Sequence, residues 1–196
     1  MGGGIGYEEL REAARRAALD LSATLGGGGV AARFVLDYAR RNRRVALTAH
    51  LPRYRELVAV IHRECLLAMV ARIELELPRE LRPAKKRPQS NAGEEDPLAR
   101  RFRILFYENL AAVFDWRRED LDRFWRELDL YLQLLRAKRG ERGRRKKADL
   151  GPFADRCGFM LDPAMLERSR RAAARFHQQL DVAARKILRS SLRCAP

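Results

Sequence analysis

The chain has 196 residues, 46% of them hydrophobic and 34% charged, and carries a net charge of +15 from 41 Lys and Arg against 26 Asp and Glu. That length suffices for one sizeable core or two small helical lobes, and the apolar share excludes wholesale disorder. So large a basic excess attracts polyanions over long range, nucleic acid being the commonest.

In chain order, the opening "MGGGIGYEEL" lacks the basic and apolar regions of a secretory signal, and Gly6 stands where a myristoylation motif needs Ser or Thr. A helix is expected from Tyr7 to Leu25, because Leu10, Ala14, Ala17, Leu21 and Leu25 recur three or four residues apart. The glycines at 26–29 end it. They precede a helix but lack both the Gly-Lys-Ser/Thr ending of a P-loop and the strand before it, so they read as an interhelical turn.

A second helix is expected from about Val30 to His50. Pro52 suits the first turn of a third, which runs through Tyr54, Leu57, Val58, Ile61, Cys65, Ala68 and Met69. Its most apolar window, 57–73, is interrupted by His62, Arg63, Glu64 and Arg72, too short and charged to span a bilayer. No membrane partner is therefore expected, and the expected location is cytoplasmic. The tail "RIELELP" alternates with period two, which leaves a short strand open, although a lone strand would have no partner elsewhere in the chain.

Residues 78–97 hold four of the eight prolines and almost no apolar side chains, so a linker or exposed loop is expected there. It divides an N-terminal helical region, 1–77, from a C-terminal one, 98–196. Asp96-Pro97 is a cap followed by proline, a helix start. Leu98, Phe102, Leu105, Asn109, Ala112, Val113 and Trp116 form one stripe. Leu121, Phe124, Trp125, Leu128, Tyr131, Leu132 and Leu135 form another. Residues 115–120, "DWRRED", either turn the chain between them or fuse them. Eight of the fifteen aromatics lie between Phe102 and Tyr131, which points to the main core, with a seam for other protein subunits along 98–135 as the alternative.

"KRGERGRRKK", residues 138–147, packs seven basic side chains into ten positions. "FADRCGFMLDP", 153–163, reads as a loop that docks its Phe153, Cys157, Phe159 and Met160 on the core. Asp162-Pro163 opens a last helix to about Leu192. On a wheel, Leu166, Ala173, Phe176, Leu180, Ala183 and Ile187 share its core side. Arg168, Arg171, Arg175, Arg185, Lys186, Arg189 and Arg193 share the other, within roughly 100° of arc. The expected fold is all-α, a bundle of about six helices with two exposed segments near 78–97 and 138–152.

Charge is unevenly spread. Residues 136–196 carry 17 basic and 6 acidic groups, +11 of the total +15. Thirty-five of the 41 basic residues are Arg, as GC-rich coding can produce, yet codon bias would scatter them evenly. The candidate site is therefore the basic segment 136–147, namely Arg136, Lys138, Arg139, Arg142, Arg144, Arg145, Lys146 and Lys147. To it are added Arg168, Arg171, Arg175, Arg185, Lys186 and Arg189 of the last helix. Converging on one surface, they would bind DNA or RNA through the phosphate backbone, with affinity falling steeply in salt. Gly140 and Gly143 suit such contacts better than base reading, and no zinc-finger, RNP or basic-zipper pattern is present. A non-catalytic, small subunit of a nucleoprotein assembly is the expectation.

Two other readings stay open. Arg170 before His177, Arg55 before His62, and Arg43 or Arg44 before His50 give an Arg-to-His spacing that resembles the motif of HEPN-type ribonucleases. The resemblance implies a metal-independent endoribonuclease in which Arg170 stabilises phosphate charge and His177 moves a proton. The polar residue that usually follows the Arg in that family is absent here: Arg171, Glu56 and Val45 stand in its place. The third reading is a helical scaffold that oligomerises through its aromatic helices. No metal or other cofactor is expected. Cys65, Cys157 and Cys194 are isolated, and Glu74/Glu76 and Asp120/Asp122 read as salt-bridge formers on solvated faces.

Overall fold

A computed structural model describes residues 6–42, 52–81, 96–140 and 151–193, without the side chains of Pro52 and of 137–140. Seven α-helices and no strand occur among them: α1 Tyr7–Leu25, α2 Gly29–Arg41, α3 Pro52–Glu80, α4 Pro97–Val113, α5 Arg118–Gly140, α6 Pro152–Leu161 and α7 Leu166–Arg193. The chain is an all-α helical bundle.

The helix starts follow local chemistry. Glu9 reaches back to accept from the Gly6 N–H at 2.7 Å, closing the first turn of α1. Asp96 accepts from the Leu98 N–H at 2.9 Å, with Pro97 at the first helical position of α4. Between α1 and α2, Gly26, Gly27 and Gly28 all have positive φ (54°, 56° and 95°), three successive left-handed residues that only glycine adopts without strain. The glycine run is thus the interhelical turn. Residues 114–117 turn the chain between α4 and α5, with Asp115 at φ 50°.

α3 is the central strut. Six consecutive residues, Leu66 to Ala71, are buried, as a helix covered on several sides requires. It packs against α2, α5, α6 and α7, while α1 lies on α4 and α7. "RIELELP" is the C-terminal part of this helix, so the strand alternative is set aside. Met69, Ile73 and Leu77 are buried four apart, and the intervening acids bind arginines of neighbouring helices. α5 contributes Phe124, Leu128 and Tyr131 to the same core. Of the exposed segment expected over 78–97, residues 78–80 belong to α3 instead, and 82–95 lie outside the described residues.

Residues 153–161 correct the loop expectation. They belong to α6, whose Phe153, Cys157 and Leu161 are buried at spacing four. Phe153 and Cys157 dock on the core as expected, but from a helix against α7, and Phe159, expected to dock with them, is instead 63% exposed. A short 3-10 turn over Pro163–Met165 separates the two, so α7 begins at Leu166. Leu166, expected on the core side, is exposed at that first turn and lines a surface recess with Met165.

Candidate nucleic-acid interface

Helix α7 is anchored at its start by the buried Asp162. Its carboxylate accepts from the Met165 N–H (3.3 Å) and from the Tyr38 hydroxyl of α2 (3.2 Å). α2 and the N-terminal half of α7 are thereby tied side by side. Between them runs a cleft of about 460 Å³. α2 lines it with Phe34, Asp37, Tyr38, Arg41 and Asn42; α7 does so with Arg168, Ala172, Arg175, Phe176 and Gln179. The Phe34 and Phe176 rings are half-buried and parallel, with centroids 4.2 Å apart and planes 9° apart. Phe153 backs Phe176 at 6.1 Å.

The basic face of α7 divides in two. Arg168 and Arg175 are exposed and have no ion-pair partner among the described residues. Arg171, beside them, pairs with Glu167 at 2.9 Å, but both side chains are well exposed, so the pair is weak. Further along, Arg189 donates to Glu80 of α3 at 2.7 Å, and Arg185 lies 3.7 Å from the buried Glu76. Arg189 is thus paired with α3, whereas the Arg185 Nε is buried without a hydrogen-bond partner. Lys186 and Arg193 are exposed. The structure thus gathers Arg168, Arg171 and Arg175 at one end of the helix and turns Arg185 and Arg189 toward carboxylates.

Arg136 is exposed on α5. Lys138 and Arg139 fall on the last turn of that helix, and Arg142, Arg144, Arg145, Lys146 and Lys147 lie outside the described residues. Arg41, Phe34 and Phe176 were absent from the sequence-based site. Phe34, Tyr38 and Arg41 share one face of α2 at helical spacing, and Arg168, Ala172, Arg175 and Gln179 one face of α7. The signal was present in each helix, but nothing local to either one said that the two faces meet.

Arg170 and His177 occupy a different place. The Arg170 guanidinium donates to Asp155 of α6, through Nε at 2.8 Å. His177 is 17% exposed, stacks on Phe153 at 5.1 Å, and sits 3.7 Å from Asp181. Burial pushes its pKa below the usual histidine range; Asp181 opposes this and Arg72 adds to it. Both residues belong to helix-packing interfaces, and neither lines the α2–α7 cleft. His62, half-buried on α3, is likewise pushed down by burial, and its Nδ1 has no hydrogen-bond partner. His50, with Arg43 and Arg44, lies outside the described residues.

Glu74 and Glu76, read as solvated salt-bridge formers, are indeed in ion pairs, but largely buried ones. Glu74 accepts from Arg103 and from the Tyr107 hydroxyl (2.6 Å) of α4, tying α3 to it. Among the described residues no group of three or more His, Cys, Asp or Glu is arranged to hold a metal ion, and no helix is long and apolar enough to cross a membrane. Comparison with known proteins gives no match: no family model, curated protein or solved structure is similar to this chain.

Proposed function

We propose that this protein binds nucleic acid through the phosphate backbone and acts without catalysis, as a small cytoplasmic subunit of a nucleoprotein complex. The supporting observation is the cluster of Arg41, Arg168 and Arg175 around one cleft, with no carboxylate bound to any of the three among the described residues. Unpaired guanidiniums retain their full donor capacity, and phosphate oxygens match their forked geometry. Arg171 extends the surface; the segment 136–147 adds cations to the chain, but 141–147 lie outside the described residues. Arg189 contributes less, because Glu80 of α3 already accepts from it, and Arg185 faces the buried Glu76 rather than the cleft.

The test is a salt titration of binding to a mixed-sequence oligonucleotide. Arg168→Ser/Arg175→Ser should weaken binding and reduce the log–log salt slope by roughly 1.4 to 1.8, two phosphate contacts' worth. Arg189→Ser should change the slope little, and serines throughout the basic positions of 138–147 should flatten it further. Undetectable affinity at ~50 mM salt, where phosphate contacts are strong, removes the reading.

One observation favours a second reading, a helical scaffold. Leu130 and Leu134 of α5 lie one turn apart and are 55% and 41% exposed, an apolar strip on the outside of the helix. Light scattering that gives a mass above the 22.6 kDa of one chain, reversed by Leu130→Glu, would support assembly through 98–135.

A further inference from the structure

We propose that the α2–α7 cleft is a seat for one unpaired nucleotide, with phosphate on its arginines and the base against the Phe34–Phe176 pair. This rests on the backbone-binding reading and goes further, since that reading needs cations alone and predicts no preference for single strands.

Three kinds of group meet in the cleft, and a nucleoside phosphate has a counterpart for each. Arg41 comes from α2 and Arg168 and Arg175 from α7, so a phosphate would be held from two sides. Phe34 and Phe176 are half-buried and line the cleft, and Phe153 packs behind Phe176. Such a stack accepts a further planar ring with little regard to base identity. The third group is polar and neutral or acidic. The Asn42 amide N–H donates to the Tyr38 carbonyl at 2.7 Å, which leaves its side-chain oxygen to accept; Gln179 and Asp37 lie alongside. Asp37 repels phosphate but accepts from the exocyclic amine of adenine, cytosine or guanine.

Size agrees with this composition. About 460 Å³ is within the ordinary range for a small-molecule site. In a duplex the base edge is already paired and both ring faces are stacked, so the duplex could use only the arginines. An unpaired nucleotide could use all three.

The same chemistry is offered by a nucleotide within a strand and by a free mononucleotide, and the experiment separates them. Wild type, Phe34→Leu and Gln179→Ala are titrated with a single-stranded 12-mer, the same sequence as a duplex, AMP and inorganic phosphate. Leucine keeps apolar bulk at position 34 without the π face, and Gln179 is exposed, so its variant keeps the fold. The expected result is single-strand binding about tenfold tighter than duplex binding, with Phe34→Leu bringing that ratio close to one. Gln179→Ala should lower single-strand affinity about threefold. Equal affinity for single strand and duplex, unmoved by either variant, overturns the nucleotide seat and leaves backbone binding standing. AMP bound more tightly than inorganic phosphate and weakened by Phe34→Leu, with no oligonucleotide bound, supports the seat for a free nucleotide and removes backbone binding. Binding of none of the four removes both.

Discussion

Gly158 of α6 lies directly against Arg170 of α7: a Cβ built on the glycine would fall 2.8 Å from the arginine's backbone N and Cα, and 2.5 Å from its Cγ. The two helices cross at the closest approach a missing side chain allows. Ser169 fastens the crossing by donating its hydroxyl to the Gly158 carbonyl at 2.7 Å.

Alanine at 158 should therefore destabilise the fold. In an unencumbered helix the change gains about 1 kcal/mol of propensity. Here the clash is with backbone, which cannot swing aside, and overpacking of that kind costs about 1–3 kcal/mol. The net expectation is a loss of up to about 2 kcal/mol in denaturant unfolding. A stabilised Gly158→Ala protein would contradict the close crossing.

Arg72 of α3 binds Asp181 of α7 through Nε at 2.9 Å, and Glu76 at 3.3 Å; the Arg72 and Asp181 side chains are only 16% and 15% exposed. Asp181→Ala leaves a largely desolvated guanidinium with Glu76 alone and should cost about 2–3 kcal/mol. Glu167→Ala, which removes the exposed partner of Arg171, should cost under about 0.5 kcal/mol. Urea denaturation of the two variants measures the difference directly, and similar losses would refute this ranking.

Stability should fall as the solution is acidified below neutrality. Burial holds His177 and His62 below the usual histidine range, so the folded protein keeps them neutral while the unfolded chain takes up protons near pH 6.5. The unfolded state then binds more protons, and stability is lost as pH drops from about 6.5 toward the folded values. Glu64 acts in the opposite sense: burial raises it, against the pull of Arg156, so its contribution improves as pH falls from that raised value toward the ordinary carboxylate range. In His177→Gln the loss between about pH 7 and 5.5 should be shallower than in wild type. Parallel stability–pH curves would rule His177 out as a contributor.

Cys65 and Cys157 are fully buried, and burial, with Glu64 adding to it, pushes both thiols up. In a Cys194→Ser background, a maleimide at about pH 8 should modify neither residue in the native protein and both once guanidinium unfolds it. Rapid labelling of either thiol without denaturant, read by mass spectrometry, would contradict the packing of α3 against α6.

Much of the helical framework was legible because its signals are local. Asp96-Pro97 starts α4 and Pro52 starts α3, while the apolar recurrence from Leu10 to Leu25 spans α1; each depends on residues within one or two turns. α6 was misread. Ten residues with Gly158 among them look like a loop in isolation, and the helix is secured by burying Phe153, Cys157 and Leu161 in the core.

By itself the sequence determined an all-α chain, its main helix starts, and the gathering of basic residues on one face of α7. Tertiary structure alone decided which of those cations stay unpaired. Arg189 meets Glu80 across 109 residues of chain, whereas Arg168 and Arg175 come to lie beside Arg41. Helical periodicity sets the direction of a side chain about its own axis; whether a carboxylate or a cleft waits there depends on which helix packs alongside.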